Sequence, residues 1–215
     1  MKNGFGKKIW DLTEGYDSII AGFSSQVSKR LEVDGWNAST YTIYSHAGTH
    51  MDAPFHFGVS STTINQIPIQ RFWGEAWVAR IPHAKPRQIL TPEDLGSIAD
   101  LFQRGDSLLI QTDWNQRLGT ASFRDELPRI GERLAKFLVQ KGINMLGVEP
   151  PSVADVNNLE EVTQIHEILL EAEVLIIEGL CNLDKLIGEK VGLIALPLKV
   201  NNGDGAPARV IAYEL

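Results

Sequence analysis

Twelve consecutive residues, 45–56, hold three of the five histidines of the chain together with one aspartate. Imidazole nitrogens and carboxylate oxygens are the ligands that zinc, manganese and ferrous iron accept, and no cysteine is mixed in. His46 and His50 stand four residues apart, as in helical zinc motifs, but Gly48 and Pro54 disfavour a helix. The residues just before this stretch are β-branched or aromatic, which favours a strand. The sequence therefore predicts a strand followed by a tight loop that turns several ligands inward.

A bound metal has to be weighed against a structural role for the same side chains. A lone histidine is more often a hydrogen-bonded structural residue than a metal ligand. The four ligand-type side chains here, His46, His50, Asp52 and His56, are harder to accommodate without a cation, because buried donors and acceptors need partners. The crowding favours a metal site.

Composition and charge narrow the class of protein. With 215 residues, of which 43% are hydrophobic, the chain can bury a full core as one domain, 1–215. A net charge of −7 and the lack of a basic run argue against nucleic acid and anionic membrane as partners. Cys181 is the only cysteine, so no intrachain disulfide can form. The first eight residues lack the apolar run of a signal peptide, and no apolar stretch reaches the ~18 residues of a membrane span. We expect a soluble, cytoplasmic protein.

Apolar periodicity predicts a chain in which strands and helices alternate. Predicted strands lie at 9–12, 39–44, 75–81, 107–112, 143–148, 174–177, 191–198 and 208–213. Predicted helices lie at 91–103, 128–141 and 159–171. Segment 13–37 is weakly patterned and is predicted to be an irregular loop with one or two helical turns, either a lid over a site or a surface wrap. The Gly-Asp-Gly turn at 203–205 matches a phosphate loop only weakly, since no helix start follows it.

A second candidate pair of ligands lies more than a hundred residues beyond the first cluster. Glu178 directly follows an apolar strand, so its side chain points either into solvent at a rim or into a polar cavity. His166 lies twelve residues earlier, on a predicted helix that leads into that strand. A helix packed on its own following strand can bring such a pair together, but the residues alone favour a solvated Glu178 over this pairing.

A family resemblance joins these two halves. Residues 46–56 read H-A-G-T-H-M-D-A-P-F-H and resemble the H-x-G-T-H-x-D-x-P-x-H motif of the metal-dependent cyclase family, which includes the bacterial kynurenine formamidases. The likeness continues through L-G-V-E-P-P-S-V at 146–153, through His166 and Glu178, and through I-A-L-P-L at 194–198. It runs from Trp10 to the end of the chain.

The resemblance implies a fold, a metal centre and an assembly. It implies an α/β (α+β) single domain of the swivelling β/β/α type, built on a barrel-like, mostly antiparallel mixed sheet with flanking helices, and a homodimer or higher homo-oligomer. It also implies two divalent ions per subunit, zinc or manganese, and no organic cofactor. The implied residues are His46, His50 and Asp52 for the first ion, Asp52, His166 and Glu178 for the second, with Glu178 able to touch both, and His56 as general acid/base.

The implied chemistry is hydrolysis of an amide-type C–N bond in a small substrate. Two cations that share carboxylates would lower the pKa of a water between them, and His56 would carry the proton to the leaving atom. The alternatives are a lactone or lactam (isatin-type) hydrolase or a cyclase of the same family, and a non-catalytic metal- or ligand-binding protein. A serine hydrolase is disfavoured because the sequence has no G-x-S-x-G elbow.

The sequence departs from the formamidases where substrate is chosen. Formamidases carry a Trp-Pro-Gly-Asp-type segment ahead of the metal motif, whereas this chain reads A-G-F-S-S at 21–25, with Trp36 further on. We predict Phe23 and Trp36 as the substrate contacts. Formamidases often have two adjacent histidines where this chain has His166 and Glu167. The sequence therefore predicts the metal chemistry but not the substrate.

Overall fold

The computed structural model describes residues 7–215, which contain twelve strands and five α-helices. The strands are β1 (Ile9–Asp11), β2 (Phe23–Lys29), β3 (Ala38–Ile43), β4 (His50–Asp52), β5 (Trp73–Arg80), β6 (Ile89–Leu90), β7 (Ser107–Gln111), β8 (Arg129–Ile130), β9 (Met145–Val148), β10 (Leu175–Glu178), β11 (Lys190–Pro197) and β12 (Gly205–Tyr213). The α-helices are α1 (Leu31–Asp34), α2 (Ile98–Leu101), α3 (Ala121–Asp125), α4 (Glu132–Lys141) and α5 (Leu159–Glu171). Shorter 3₁₀ helices lie at Pro54–Phe57, Ile64–Gln66, Ile69–Phe72, Pro92–Leu95, Trp114–Arg117 and Leu183–Lys185.

Seven strands close into a barrel. Their order is β12-β11-β5-β7-β9-β10-β4, and β4 pairs back onto β12. The pairings β5–β7, β7–β9 and β9–β10 are parallel, and the others in this sheet are antiparallel. β1 adds an eighth strand along the other end of β12. The implied mixed α/β domain with a barrel-like, mostly antiparallel sheet is confirmed.

The central barrel strands carry apolar residues on both faces, because the inside of the barrel and its helix-covered outside are both buried. In β7, Leu109 packs in the cluster that fills the barrel, while Leu108 and Ile110 pack in the cluster under the helices. In β10, Ile177 belongs to the first cluster and Ile176 to the second. This double burial explains the continuous apolar runs from which the strands are predicted.

The helices cover the outside of the parallel part of the sheet. α4 buries one face, which includes Leu134, Ala135 and Leu138. Gly142 caps its C-terminus with a left-handed φ of 67°. α5 ends as predicted and buries the stripe that includes His166. The predicted helix 91–103 is wrong as one helix, because Gly96, with φ of 56°, separates a 3₁₀ turn from the short α2. None of the helices within residues 7–215 is long and apolar enough to cross a membrane.

The prediction of an irregular segment at 13–37 is wrong in its second half. β2 pairs antiparallel with β3, and the short α1 lies in the connection between the two strands. Most side chains of this hairpin are exposed on both faces, so the sequence carries no apolar alternation there. The predicted strand 39–44 is confirmed as β3. The hairpin leads directly into the histidine-rich segment.

Candidate metal centre

The centre is built around β4, a three-residue strand inside the stretch that the sequence predicts as a loop. β4 has no free edge, since it pairs with β10 on one side and with β12 on the other. Alternation along the strand puts His50 and Asp52 on one face and sends Met51 into the barrel core. Gly48, with φ of 60°, makes the turn that precedes the strand. The H-x-D spacing is therefore that of a strand, not of a loop.

Glu178 ends β10 and faces His50 as its register partner on β4. Its side chain does not point into solvent, since Glu178 is only 4% exposed. The distance from Glu178 Oε2 to His50 Nε2 is 3.2 Å, and the distance from Glu178 Oε1 to His166 Nε2 is 3.5 Å. His166 reaches this point from α5, and its Nε2 also lies 3.6 Å from Asp52 Oδ2. The two halves of the candidate site thus meet in the fold.

Two glycines allow the elements to approach this closely. Gly179 follows Glu178 with φ of 66°, and a Cβ there would overlap the carbonyl oxygen of Gly48. Gly205 begins β12, and a Cβ there would lie 2.6 Å from the carbonyl oxygen of Met51 and 2.8 Å from Cε1 of His46. Larger residues at either position would push the ligand loop away from the strands that complete the centre.

Hydrogen bonds to carbonyl groups fix the tautomers of two histidines. His50 Nδ1 lies 2.9 Å from the oxygen of Gly48, and His166 Nδ1 lies 2.6 Å from the oxygen of Val162. A carbonyl only accepts, so each Nδ1 carries the proton and each Nε2 turns its lone pair toward the carboxylates. His50 Nε2 and Asp52 Oδ2 are fully buried and have no hydrogen-bond partner among the residues that the structure describes.

This arrangement fits a bound cation. The separations between the imidazole nitrogens and the carboxylate oxygens of Asp52 and Glu178 run from 2.9 Å to 3.7 Å. Two ligands of one ion, each bonded at about 2.0–2.2 Å, lie roughly 3–3.5 Å apart. A lone pair that faces a carboxylate is repelled unless a positive charge lies between them. Histidine and carboxylate together suit zinc or manganese.

The electrostatics of the buried groups point the same way. Burial would raise the pKa of Glu178, but the imidazoles of His166 and His50 hold it well below its usual range. Burial would lower the pKa of His50 and of His166, yet Glu178 and Asp52 raise both. The pocket between these side chains therefore attracts positive charge, which is a proton in the absence of a metal ion.

His46 stands on the other side of Asp52. Its Nδ1 lies 2.9 Å from Asp52 Oδ1, and its Nε2 lies 2.9 Å from Asp204 Oδ2. Burial would lower the pKa of His46, but hydrogen bonds with Asp52 and Asp204 raise it to about 9. In the described part of the chain, two groups of side chains have their ligand atoms within 4.8 Å of one another, namely His46, Asp52 and His56, and His50, Asp52 and Glu178. Asp52 is common to both groups.

His56 lies on the 3₁₀ helix Pro54–Phe57, with its ring stacked on that of His46 at a centroid distance of 3.9 Å. Burial lowers the pKa of His56, so its imidazole is neutral at neutral pH. The next residue, Phe57, stacks on His166 at 4.2 Å. His56 is thus a neutral imidazole that can accept a proton, whereas the pKa values of the other three histidines of the cluster are raised.

A cavity of about 700 Å³ opens over the cluster, and His46, His56, His166 and Glu178 lie in its wall. The rest of the wall is largely apolar, with Ile19, Phe57, Leu118, Phe123, Val156 and Val162. Arg124 also lies in this wall, where its side chain binds Asp125 and Asn157. The cavity is large enough for a small aromatic or cyclic molecule.

The structure does not bring the predicted substrate contacts into this wall. Phe23 packs between the rings of Tyr16 and Tyr41, at centroid distances of 5.2 Å and 5.8 Å. Trp36 is 57% exposed and lies beside the ammonium group of Lys29. Residues 19–22, just before Phe23, line the cavity instead. The sequence pattern identifies the right segment but not the side chains that line the cavity.

Two further acids, Asp204 and Glu149, are not among the predicted site residues but have defined contacts in the fold. Asp204, in the Gly-Asp-Gly turn, contacts His46 directly. Its signal in the sequence is only an acid between two turn glycines. Glu149 is buried, where its carboxylate accepts hydrogen bonds from the backbone of Thr112 and Trp114, and burial raises its pKa to about 7. Glu149 thereby holds the turn that follows β7.

Comparisons with known proteins show the family and the fold of the chain. The sequence pattern of the family described as cyclase matches residues 7–155. A kynurenine formamidase from Bacillus mycoides is 31% identical over 190 residues, which span 88% of this chain and 86% of that protein. Isatin hydrolase A from Ralstonia solanacearum superposes with a TM-score of 0.87 over 98% of this chain and 93% of that one, at 21% identity, which shows a shared fold. A structure described as a potential metal-dependent hydrolase with cyclase activity has a TM-score of 0.78 and 27% identity, over 97% of this chain and 98% of that one.

Proposed function

The chain belongs to the cyclase family, and from that premise we propose that it is a divalent-metal-dependent hydrolase of an amide-type C–N bond in a small substrate. The observation that carries the proposal is that two of the buried atoms without a hydrogen-bond partner within residues 7–215, His50 Nε2 and Asp52 Oδ2, lie together among carboxylates and imidazoles. A divalent ion would satisfy both atoms. A formamidase relative and a metal-dependent hydrolase neighbour support the same reaction class.

We propose two zinc or manganese ions that share Asp52. His46, His50 and Asp52 would hold one of them, and Asp52, His166 and Glu178 the other. Glu178 faces both His50 and His166 and can contact either ion. When bound, such ions supply Lewis acidity, which makes a water nucleophilic near neutral pH and polarises a substrate carbonyl. The ligands arise from β4, β10, α5 and the loop before β4, so the folded barrel sets their geometry.

His56 is the proposed general acid/base. Its lowered pKa leaves the imidazole neutral, so it can accept a proton from the attacking water. It can then deliver that proton to the leaving nitrogen as the C–N bond breaks. The stacked ring of His46 and an edge-on contact with Phe57 hold the His56 ring in place. The apolar cavity wall would orient the substrate and exclude bulk water from the reacting carbonyl.

The cavity wall supports a substrate with an apolar, aromatic or cyclic body. A formylated aryl amine and a lactam both fit that description. The solved structures similar in fold include isatin hydrolases, which keeps lactam or lactone opening as the second candidate function. The third candidate is a metal-binding protein without turnover. His56, placed in the cavity wall beside the ligands, favours an enzyme over that candidate.

A substrate panel tests the proposal. The protein is stripped with a chelator, reloaded with zinc or manganese, and assayed against formylated aryl amines, lactams including isatin, and lactones. We expect metal-dependent hydrolysis of at least one amide-type substrate. Turnover of lactones alone would select the second candidate. Tight metal binding without turnover of any member of the panel would select the third.

We also propose that the protein works as a homodimer or higher homo-oligomer. The hairpin of β2 and β3 and its connections expose several large apolar side chains, among them Val27, Val33, Trp36 and Tyr41. An isolated two-stranded hairpin is only marginally stable in water, so a partner surface would stabilise it. Light scattering after size-exclusion chromatography measures the mass directly, and a mass near 23.8 kDa would show a monomer.

A further inference from the structure

Asp204 lies in the turn between β11 and β12, and its backbone is fixed against the ligand strand. Its carbonyl oxygen accepts a hydrogen bond from the N–H of Ala53 at 2.9 Å. The next residue, Gly205, pairs with Asp52 across β12 and β4. Gly203 accepts in turn from the N–H of Ile64 at 2.9 Å. The turn is therefore a rigid part of the barrel closure, and it presents its one acidic side chain to the histidine cluster.

The carboxylate of Asp204 contacts the cluster from the side opposite Asp52. Asp204 Oδ2 lies 2.9 Å from His46 Nε2 and accepts a hydrogen bond from Ser45 Oγ at 3.3 Å. The same oxygen lies 3.8 Å from His56 Nδ1. His46 is thus the member of the cluster with a carboxylate against each of its ring nitrogens.

The three proposed histidine ligands share one pattern. In His50 and His166, one nitrogen donates to a backbone carbonyl, and the other faces the shared carboxylates. In His46, Nδ1 faces the shared carboxylate of Asp52. Its Nε2 contacts no backbone carbonyl of residues 7–215, and the carboxylate of Asp204 is its hydrogen-bond acceptor instead. A histidine that binds a metal ion through one nitrogen needs an acceptor for the proton on the other.

We propose that Asp204 is a positioning residue that holds the proton of His46 on Nε2, so that His46 offers the lone pair of Nδ1 to the metal site. The inference rests on the proposed metal centre. The Gly-Asp-Gly turn is then explained by the metal centre and not by phosphate.

Packing around the ring supports this assignment. The ring of His56 stacks on His46 at 3.9 Å, and Gly205 leaves no room for a Cβ beside Cε1 of His46. The ring of His46 is thus confined between two neighbours. A 180° flip of the ring would put Cδ2 and Cε1 where Nδ1 and Nε2 now lie, and would break the contacts with both Asp52 and Asp204. Asp204 and the packing together select one orientation of His46.

The test compares Asp204→Asn with Asp204→Ala, with Asp184→Ala on the exposed 3₁₀ helix as the matched control. Zinc affinity is measured by competition with a chromophoric chelator. Asparagine keeps an oxygen that accepts from Nε2–H, so we expect affinity within a few-fold of wild type. Alanine leaves Nε2–H without an acceptor, and we expect affinity to fall about 10- to 100-fold. The Asp184→Ala control should match wild type.

A second measurement reads the tautomer itself. In zinc-loaded protein labelled with ¹⁵N-histidine, we expect His46 to carry its proton on Nε2, and His50 and His166 to carry theirs on Nδ1. A proton on Nδ1 of His46 would overturn the proposal, as would wild-type affinity in Asp204→Ala. An equal loss in both variants would also overturn it, since it would mean that the charge and not the acceptor matters. Wild-type protein that binds no zinc would instead reject the metal centre itself.

Discussion

His50 and Glu178 face each other as a register pair across β4 and β10, with 3.2 Å between His50 Nε2 and Glu178 Oε2. This contact joins the histidine-rich segment to the second half of the site. Because both side chains are buried, the pair exists only when the two strands are correctly paired. Because both residues are proposed metal ligands, replacement of either one should lower metal binding.

Glu178→Gln should lower the occupancy of at least one metal site. The amide keeps the shape of the side chain but removes its charge. Loss of a residue that only hydrogen-bonds to a metal ligand lowers affinity by about 10- to 100-fold, so loss of a ligand itself should lower metal affinity by more than about 100-fold. Elemental analysis after dialysis against a weak chelator gives the stoichiometry. Glu149→Gln, at the end of the neighbouring β9, is the matched buried control. Unchanged stoichiometry in Glu178→Gln would contradict the paired site.

His56→Ala should keep its metal ions and lose turnover. General acid/base catalysis contributes roughly 10²–10⁴-fold, so kcat should fall by that factor on whichever substrate the wild type hydrolyses. His83→Ala is the control, since His83 is exposed and contacts Asp113 rather than the cluster. Full activity in His56→Ala would remove His56 from the mechanism.

Gly179→Ala should destabilise the fold around the centre. The added Cβ would overlap the carbonyl oxygen of Gly48, and φ of 66° is unfavourable for alanine. We expect a loss of about 1–3 kcal/mol in the free energy of unfolding, measured with urea, and weaker metal binding. Gly74→Ala is the control, because nothing lies within 4 Å of a Cβ at that position. Equal stability of the two variants would contradict the close approach of the loops.

The metal-free protein should lose stability as the pH rises above neutrality. The pKa of His46 is raised from 6.5 to about 9 in the folded state, so its protonated form stabilises the fold. That contribution is complete below the unfolded pKa near 6.5 and disappears as the pH passes through about 9. Thermal unfolding of chelator-treated protein at pH 6.5 and pH 9.5 measures the difference. In His46→Gln, the stability difference between the two pH values should be smaller than in wild type. An equal difference in both proteins would mean that other groups cause the effect.

The sequence predicts the barrel strands well because most of them are apolar on both faces. It fails for the hairpin of β2 and β3, whose side chains are mostly exposed and whose pairing depends on backbone hydrogen bonds. It also fails for β4, because Gly48 and Pro54 on either side indicate a loop. The three residues between them form a strand only by pairing with β10 and β12, which are distant in sequence. Local pattern cannot show pairing partners that lie more than a hundred residues away.

The candidate site divides along the same line. Spacing identifies His46, His50, Asp52 and His56, since they lie within one segment. Glu178 could not be placed from the residues alone, because burial at the end of β10 depends on α5 and β4. Asp204 carries almost no local signal, and only the closure of the barrel brings it to His46. The cavity wall depends on residues 19–22, whose side chains no periodicity distinguishes from those of Phe23 or Trp36.

The pairing of β12 with β4 has a consequence for how the enzyme matures. A nascent chain that has reached residue 200 already contains every proposed metal ligand, yet β4 still lacks its neighbour on one side and His46 lacks Asp204. We expect stable metal uptake only after translation of β12, so that the choice of ion falls to a finished barrel and not to a growing polypeptide. A polypeptide that ends at residue 200, free of the ribosome, should accordingly hold zinc far more weakly than the full-length protein.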